Sequence, residues 1–427
     1  MNIMLSYKNK TKIKFYKIYT WFVILMPIIN IYASPIPRIG LGEFIFLACF
    51  PFLLLDIIFF SQNKLVKESS MYLIYFSYCI MISFVICLFQ YYYSITDICL
   101  KLLRDSVYIC IFLICSQFYF DFKYAIKILK FVVVLVSTYL VLQYLFYNIF
   151  GIVLPSTLKN VTLNYSITNS NEQLARYERM YSYGSLRLPS IFLEPAHFAQ
   201  YVSLGLIVFL FDKKLDRRNV LLSLYISLAV MLSTSAIGVA TILAIWVIWV
   251  FSFNASSKNG IKNVTLMCCI ITMAVIFIYL YNVGNEFVHL IDRFQEIDSS
   301  SKGVTSGGIR VSRGFNIFSQ LDFIYKFFGV GYGNYDCFSK IHHIITLFDA
   351  GTIEVNDYMS SISYILVSGG VVAFSLYLVA IFKFFRSGNK IAKVAIVILL
   401  LMMFGASIYS TPIYAMYMSF IVNSKRK

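Results

Sequence analysis

Long apolar runs that carry few charges are the feature that most constrains the fold of this chain. The runs cover residues 19–34, 42–60, 71–91, 104–120, 128–150, 193–211, 219–235, 236–253, 264–283, 362–383 and 393–423. Most approach the roughly 17–25 residues that cross a bilayer as one helix. Helices are expected because lipid offers no hydrogen-bond partner to an exposed backbone. The sequence therefore predicts an all-α, polytopic integral membrane protein, with residues 1–427 forming a single membrane domain.

The charge content supports this interpretation. Only 13% of the residues are charged, against about 25% in soluble domains. The formal net charge of +16 would suggest nucleic acid in a soluble protein. Here much of the basic excess lies in short loops, which is the positive-inside pattern of membrane proteins. We therefore expect a lipid bilayer, and no nucleic acid, as a partner.

The last apolar run, 393–423, is too long for one ordinary span. The segment ASIYSTP at 406–412 interrupts it, which predicts two short helices. The chain then has about 11–12 transmembrane helices, if each span needs about 20 residues.

The distribution of lysine and arginine predicts which helix ends face the cytoplasm. Basic clusters alternate with the predicted spans at 8–17, 64–67, 123–130, 212–219, 258–262 and 383–393. The positive-inside rule then places both termini in the cytoplasm. Lys101 is the exception, because it falls in a segment, 92–103, that is predicted to lie outside.

Two predicted outer loops, 151–192 and 284–361, are unusually long. Connections beyond about 12–15 residues tend to be functional. Both loops also carry basic residues on the side where the positive-inside rule disfavours them. We therefore expect the chemistry of this protein at the outer face.

The segment RLPSIFLEPAHFAQY at 187–201 leads from the first loop into an apolar run. Pro195 after Glu194 is typical of a helix start, and Glu194, His197 and Tyr201 then recur at helical spacing on one face. Ionisable groups at membrane depth are functional candidates, so Glu194 and His197 are candidate catalytic residues. The alternative is that Glu194 caps the helix and complements its dipole, while His197 and Tyr201 belong to an interfacial aromatic belt.

Arginine recurs in the two outer loops. The candidates are Arg176, Arg179, Arg187, Arg293, Arg310 and Arg313. A guanidinium group suits phosphate because its planar fork donates two parallel hydrogen bonds and keeps its charge. Arg310 and Arg313 stand in GGIRVSRG, whose glycines let the backbone approach a ligand. The alternative is that these arginines bind lipid headgroups or acidic residues of the loops.

The segment FFGVGYGNY at 327–335 predicts a tight turn. A dinucleotide fingerprint is a poor match, because no strand precedes the segment. Its tyrosines, Tyr332 and Tyr335, are suited to stacking on sugar rings. His342 and His343 are adjacent and face opposite ways, and no further ligands stand at a spacing that suits a metal ion. No metal site is predicted.

Together these segments resemble the bacterial O-antigen polymerases (Wzy type), within the group that also contains the O-antigen ligases. The resemblance rests on RLPSIFLEPAHFAQY, on LSTSAIGVATILA at 232–244, on GGIRVSRGFNIFSQLDFIYKFFGVGYGNY at 307–335 and on NDYMSSISYILVSGGVVAF at 356–374. In motifs it covers residues 187–375, and in topology it covers the whole chain.

The resemblance implies a GT-C-like membrane glycosyltransferase of the bacterial inner membrane, with two large periplasmic loops. Such an enzyme joins undecaprenyl-pyrophosphate-linked repeat units into a polysaccharide and needs neither a metal nor a nucleotide as cofactor. Its other implied partners are a flippase and a membrane protein that regulates chain length.

The resemblance also implies roles for the candidate residues. Arg187 and Arg310 would stabilise the negative charge that develops on the leaving pyrophosphate. Glu194, or as a second choice His197, would accept the proton of the acceptor hydroxyl. The substrate-binding residues would be Arg176, Arg179, Arg313, Tyr332, Tyr335 and Asn356.

Two other functions fit parts of the sequence. An O-antigen ligase uses the same donor, but ligases usually carry a histidine just after the second loop, where this chain reads VNDYM (355–359). A lipid-linked oligosaccharide flippase would carry charges inside its helices and have short loops. This chain shows the reverse pattern.

Overall fold

The described part of the chain is built from helices. The computed structural model describes residues 2–36, 39–60, 65–89, 94–158, 161–164, 187–212, 216–253, 306–342, 344 and 359–425. Within these ranges the only β contacts are two isolated antiparallel bridges. The prediction of an all-α fold is confirmed for this part of the chain.

The helices fall into three stretches of the chain. The first stretch holds α1 (Asn2–Ile29), α2 (Leu41–Phe60), α3 (Ser69–Phe89), α4 (Ile95–Ile109), a π-helical segment (Cys110–Cys115), α5 (Ser116–Tyr119) and α6 (Phe122–Phe150). The second holds α7 (Pro195–Phe211), α8 (Arg217–Leu232) and α9 (Ala236–Phe253). The third holds α10 (Ser306–Gln320), α11 (Phe323–Phe328), α12 (Tyr335–Ile341), α13 (Ser361–Ser387), α14 (Lys390–Gly405) and α15 (Pro412–Asn423).

Four helices of the described chain are long and apolar enough to cross a membrane, and each coincides with a predicted span. They are Leu41–Phe59, Ser69–Phe89, Phe122–Phe150 and Ser361–Ser387. Shorter apolar helices cover Phe15–Ile29, Pro195–Phe211 and Ala236–Ser252. The protein is therefore an all-α membrane protein. The predicted span at 264–283 lies outside the described residues, so the total of about 11–12 spans stays a prediction, as does the GT-C-like arrangement.

The last apolar stretch forms two helices, α14 and α15, as the sequence predicts. Residues 406–411 separate them. Thr411 begins α15 as its N-cap and accepts a hydrogen bond from the Tyr414 N–H at 3.3 Å. Pro412 follows in the first turn, where its missing N–H does no harm.

The span predicted at 104–120 begins earlier than expected. Its helix starts at Ile95, where the Ser94 hydroxyl accepts a hydrogen bond from the Asp97 N–H at 3.3 Å. The helical path then continues through the π-helical segment to Tyr119. Lys101 therefore lies inside α4. The π-helical segment is a second feature of this helix, and such segments are frequent near functional sites.

The chain divides into two compact units. Unit 1 comprises Met1–Met26, Ile45–Ala125 and Glu296–Lys427. Unit 2 comprises Pro27–Phe44 and Ile126–Gln295. The predicted first outer loop belongs to unit 2, and the described part of the second loop belongs to unit 1.

In unit 1 the last three helices run antiparallel. At one end, the Asn389 amide donates to the Ser424 carbonyl at 3.2 Å. At the other end, the Ser361 hydroxyl donates to the Ala406 carbonyl at 2.9 Å. The start of α13 therefore lies at the opposite end of the unit from the C-terminus.

Basic side chains collect at the C-terminal end of unit 1. Lys425 pairs with Glu68, which directly precedes α3. Gln117 donates to the first residue of α3 at 2.6 Å, and the Asp121 N–H donates to Thr20 of α1 at 2.9 Å. This group, the basic end of unit 1, consists of Lys17, Lys67, Lys123, Lys383, Arg386, Lys390, Lys393 and Lys425.

The contact between Glu68 and Lys425 links the C-terminus to α3. Burial by itself raises the pKa of Glu68, but hydrogen bonds from Lys425 and the backbone, with the charges of Lys425 and Lys383, outweigh it. The pKa of Glu68 is therefore below its ordinary value. The stability that the pair contributes is present above the ordinary pKa and is lost as the pH falls through the lowered one. Because the pair is partly exposed, that contribution is small.

Helix α13 is broken at Gly370, whose φ of 69° and ψ of −173° are not helical. In an unbroken helix the carbonyl groups of Val367 and Ser368 would accept from residues four positions later. Here the Val330 N–H donates to Val367 at 3.0 Å and the Gly331 N–H donates to Ser368 at 2.8 Å. Irregular backbone inside a membrane protein is tolerated where other parts of the protein satisfy it in this way.

Glycine makes this close approach possible. Gly329, Gly331 and Gly333 have left-handed φ values of 88°, 87° and 82°. A Cβ atom on Gly329 would collide with the backbone of Ser368 and Gly369. The predicted tight turn at 327–335 is confirmed, and its glycines serve packing against α13.

The described part of the predicted second outer loop is largely helical. Residues 306–342 contain α10, α11 and α12, and the first two pack on α13. The sequence did not predict these helices, because they are too short and too polar to look like spans.

In unit 2, α7 lies at the centre. Almost all of its residues are buried, which is the pattern of a helix with protein on every side. Gly205 lets α6 approach closely, and Gly238 lets α9 do the same. Lys130 pairs with Asp212 at 2.8 Å just beyond the C-terminal end of α7. The opposite end, where α7 begins, is joined to the segment 187–194.

We predict that Gly329→Ala lowers the melting temperature of the purified protein in detergent. The left-handed φ costs a residue with a Cβ atom about 1–2 kcal/mol, and the collision with α13 adds about 1–3 kcal/mol. Gly151→Ala is the matched control, because Gly151 has a φ of 65° but open space around it. Equal losses in the two variants would contradict the close approach.

Candidate functional site

The segment before α7 is held on α6 by a buried turn. Ser190 has a φ of 57°, and its hydroxyl donates to an α6 carbonyl at 2.7 Å. The Gln143 amide of α6 donates to the Ser190 carbonyl at 3.1 Å, and Phe192 is buried beside it. The turn leaves Arg187 half-buried at its start and Glu194 exposed at its end.

Glu194 occupies the N-cap position of α7, and Pro195 follows in the first turn, as predicted. The hydrogen bonds at this helix start go to the Glu194 backbone carbonyl, from His197 N–H at 3.1 Å and Phe198 N–H at 3.3 Å. The carboxylate makes no capping bond. The alternative is therefore wrong in its first part, a capping hydrogen bond from the Glu194 side chain, whereas its second part, that Glu194 complements the helix dipole, stays a prediction.

The helical face predicted from Glu194 to Tyr201 runs from the surface into the core. His197 is half-buried. Tyr201 is fully buried, with its ring 5.2 Å from that of Phe192. The interfacial-belt alternative is wrong for Tyr201, because a belt residue keeps its polar tip at the membrane surface. Glu194 and His197 stay candidates.

Arg310 and Arg313 lie one turn apart on α10. The side chain of Arg310 lies outside the described part of the structure, whereas that of Arg313 is only 6% exposed. Gly314, the next residue, lets α10 pack closely on the start of α13, since a Cβ atom there would meet Ser363 and Met359. Arg313 is therefore held where α10 joins the start of α13.

Lys101, a residue of α4, also lies beside the start of α13. Its Nζ atom is 4.8 Å from the centroid of the Tyr364 ring, within the range of a cation–π interaction. The sequence marked Lys101 only as an exception to the positive-inside pattern. That exception was the available signal, but the sequence could not relate it to Tyr364, which is far away along the chain.

These residues form a cationic group that we call the α13 entrance, consisting of Lys101, Arg313 and Ser360–Tyr364. The positive end of the α13 dipole adds to the two side-chain charges. The Ser360 hydroxyl accepts a hydrogen bond from the Ser363 N–H at 3.4 Å, and the Ser361 N–H donates to the Ala406 carbonyl at 3.0 Å. Because these N–H groups are already bonded within the protein, an anion would be held chiefly by the two side chains.

The structure corrects the roles expected of Tyr332 and Tyr335. Both are buried, so neither presents a ring face to a sugar. The Tyr332 hydroxyl lies 2.9 Å from that of Tyr75, and its ring packs edge-on against Tyr364 at 5.6 Å. The sequence suggested an exposed loop, whereas the backbone pairing with α13 draws this segment into the bundle.

The predicted site residues fall in two different units or lie outside the described residues. Arg176, Arg179 and Asn356 lie outside the described residues. Arg187, Glu194 and His197 belong to unit 2, whereas Arg310 and Arg313 belong to unit 1. Within the ranges that the structure describes, no cluster of three or more histidine, cysteine, aspartate or glutamate residues could hold a metal ion.

Comparison with known proteins adds no relative. No protein-family model matches the chain, and no curated protein matches it significantly.

We predict that inorganic pyrophosphate raises the melting temperature of the purified protein and that Lys101→Gln weakens this effect. A hydrogen bond to a charged group contributes about 1.5–3 kcal/mol, so the variant should bind about tenfold more weakly or worse. The matched control is Lys393→Gln at the basic end, where Nζ lies 5.8 Å from the Phe385 ring centroid. An undiminished shift in the Lys101 variant would count against the entrance as an anion site.

Proposed function

We propose that this protein is an O-antigen polymerase, a membrane glycosyltransferase that joins undecaprenyl-pyrophosphate-linked repeat units at the periplasmic face of the bacterial inner membrane. The observation that carries the proposal is the presence of two cations, Lys101 and Arg313, at the α13 entrance. The entrance lies at the opposite end of α13 from the basic end of unit 1. Cations at that end run against the positive-inside pattern and call for a ligand.

The chemistry of the transfer matches such a group. The anomeric carbon of the donor is bonded to a lipid pyrophosphate. When that bond breaks, negative charge grows on the pyrophosphate oxygen. Fixed positive charge at this position stabilises the transition state more than the ground state, which is the role proposed for Lys101, Arg313 and Arg310.

The acceptor hydroxyl must also lose its proton. In unit 2, Glu194 presents an exposed carboxylate that is not used for capping, and His197 follows it on the same helix. Both fit the general-base role that the resemblance implies. Arg187 at the start of the same turn would add positive charge near them.

The proposed orientation puts the basic end of unit 1 in the cytoplasm, with the C-terminus beside it. In unit 2, Lys130, Arg217 and Arg218 lie at the end opposite the start of α7, so the same rule puts that end inside.

We predict that green fluorescent protein fused after Lys425 fluoresces, because it folds in the cytoplasm. Alkaline phosphatase fused after Leu158 should be active, because that loop lies in the periplasm. Activity of the phosphatase at the C-terminus would reverse this orientation.

Deleting the gene and separating the surface polysaccharide on a gel tests the function itself. A polymerase deletion should abolish the long ladder and retain lipid A core carrying a single repeat unit. If the single-unit band also disappears, the polymerase proposal is wrong in favour of a ligase or a flippase. A plasmid carrying Arg310→Ala should restore only short chains at a normal protein level, whereas Lys393→Gln should restore the full ladder.

A further inference from the structure

The α13–α14 hairpin, residues 379–397, carries exposed cations at the basic end of unit 1. Lys383 and Arg386 lie in the last two turns of α13, and Lys390 is the first residue of α14. All three side chains are exposed. The hairpin itself contains no acidic residue, and Glu68, a carboxylate near Lys383, is already paired with Lys425. The hairpin therefore carries an excess of positive charge.

A tight, hydrogen-bonded turn fixes these cations relative to one another. Only Gly388 and Asn389 separate the two helices. The Asn389 side chain donates to the Ser424 carbonyl at 3.2 Å and accepts a hydrogen bond from the Ala392 N–H at 2.9 Å. A Cβ atom on Gly388 would come within 2.9 Å of the Ala392 Cβ atom, so the turn is closely packed. Charges held on such a turn lose little conformational freedom when a ligand binds.

Lys390 stands at a helix position that favours negative rather than positive charge. The N-terminus of a helix carries a partial positive charge, and the first turn of α14 contains no acidic residue to complement it. Lys393, in the same turn, has its Nζ atom 5.8 Å from the Phe385 ring centroid. The positive-inside pattern would be satisfied by Lys383 and Arg386 alone. Lys390 therefore brings two sources of positive charge together, and both favour an anion at this point.

Exposed apolar side chains continue from the cations toward the middle of the bilayer. On α13, Val379 and Phe382 are exposed, Phe382 by 61%. These two residues recur with Lys383 and Arg386 at helical spacing, so all four share one face. On α14, Val397 is exposed two turns beyond the start of the helix. The surface of the hairpin is therefore amphipathic, with cations at its turn and apolar side chains along its helices.

The length of α13 places this turn among lipid headgroups. About 20 residues cross the hydrocarbon core of a bilayer, whereas α13 has 27. The helix therefore extends beyond the core, and its charged end is the part that lies at the membrane surface. Lipid phosphates lie at the same depth, so the hairpin presents cations to phosphates and apolar side chains to acyl chains.

We propose that the α13–α14 hairpin binds an anionic phospholipid with two phosphate groups, of the cardiolipin class. One phosphate lies between Lys383 and Arg386, which are one turn apart, and the guanidinium donates two parallel hydrogen bonds to it. The second phosphate lies at Lys390, across the turn, where the positive end of α14 also attracts it. The acyl chains contact Phe382 and its apolar neighbours. Lys393 takes no part, because it is turned to an aromatic ring.

This lipid site is separate from the α13 entrance and does not depend on the proposed function. The entrance lies at the opposite end of α13. Basic groups between transmembrane helices are known to bind cardiolipin headgroups at membrane surfaces. Two phosphates fit better than one, because the cations are divided between the end of α13 and the start of α14.

The first test compares lipids on the full-length protein purified in detergent. The probes are cardiolipin, phosphatidylglycerol with its single phosphate, and zwitterionic phosphatidylethanolamine. At equal phosphate concentration, cardiolipin should raise the melting temperature most, because a ligand that binds the folded state stabilises it. Phosphatidylethanolamine should have no effect. Equal shifts with cardiolipin and phosphatidylglycerol would overturn the two-phosphate site.

Variants then locate the site, with bound cardiolipin counted by native mass spectrometry. Arg386→Gln and Lys390→Gln should each weaken binding about fivefold, the loss expected for one basic residue at an anionic lipid surface. Phe382→Ala removes the ring that contacts the acyl chains and should weaken binding several-fold. The matched control is Lys123→Gln, which makes the same charge change on an exposed residue of the basic end but lies on α6. It should bind cardiolipin as the wild type does.

The remaining outcomes decide between a defined site and a general attraction. An equal loss in Lys123→Gln would mean that cardiolipin responds to the total charge of the basic end, and the hairpin site would be wrong. Wild-type binding by both Arg386→Gln and Lys390→Gln would also overturn it. The comparison of the three lipids needs no variant, so it tests the proposal even where a substitution prevents folding. None of these results bears on the polymerase proposal, which the polysaccharide ladder tests.

Discussion

The backbone hydrogen bonds at the break in α13 are the interaction on which the rest of unit 1 depends. A broken helix in an apolar environment must find donors elsewhere, because lipid supplies none. The N–H groups of Val330 and Gly331 provide them, and three left-handed glycines allow the approach. This pairing draws residues 329–333 into the bundle. It thereby sets Tyr332 against Tyr75 and brings α11 onto α13.

Charge is distributed unequally between the two ends of unit 1. One end collects lysine and arginine around the C-terminus and the start of α3. The other holds a smaller cationic group in which Lys101 rests on Tyr364 and Arg313 is buried beside the start of α13. A buried or half-buried cation is costly unless its surroundings compensate. The charges at one end are exposed, whereas those at the other end are half-buried or buried.

The sequence predicted part of the candidate site and misplaced another part. Glu194 at the head of α7 followed from the pattern Glu-Pro, which has a local physical cause. Tyr332 and Tyr335 were expected on a surface, because aromatic and glycine residues in a polar segment look like a binding loop. Their burial follows from pairing with α13, a contact between distant parts of the chain. In the sequence, Lys101 stood out only as an exception to the positive-inside pattern. No local feature of the sequence connects it with Tyr364.

The sequence by itself determined the membrane character of this protein, its four long apolar helices and the division of the last apolar stretch into α14 and α15. These properties depend on local composition, because hydropathy and the lack of backbone partners in lipid act on each segment separately. The tertiary structure alone decided that α13 is broken and repaired by residues 329–331. It also decided that Lys101 and Arg313 stand at one helix start. Each of these contacts joins residues that are remote in the chain, and a local pattern contains no information about which remote partner a segment will meet.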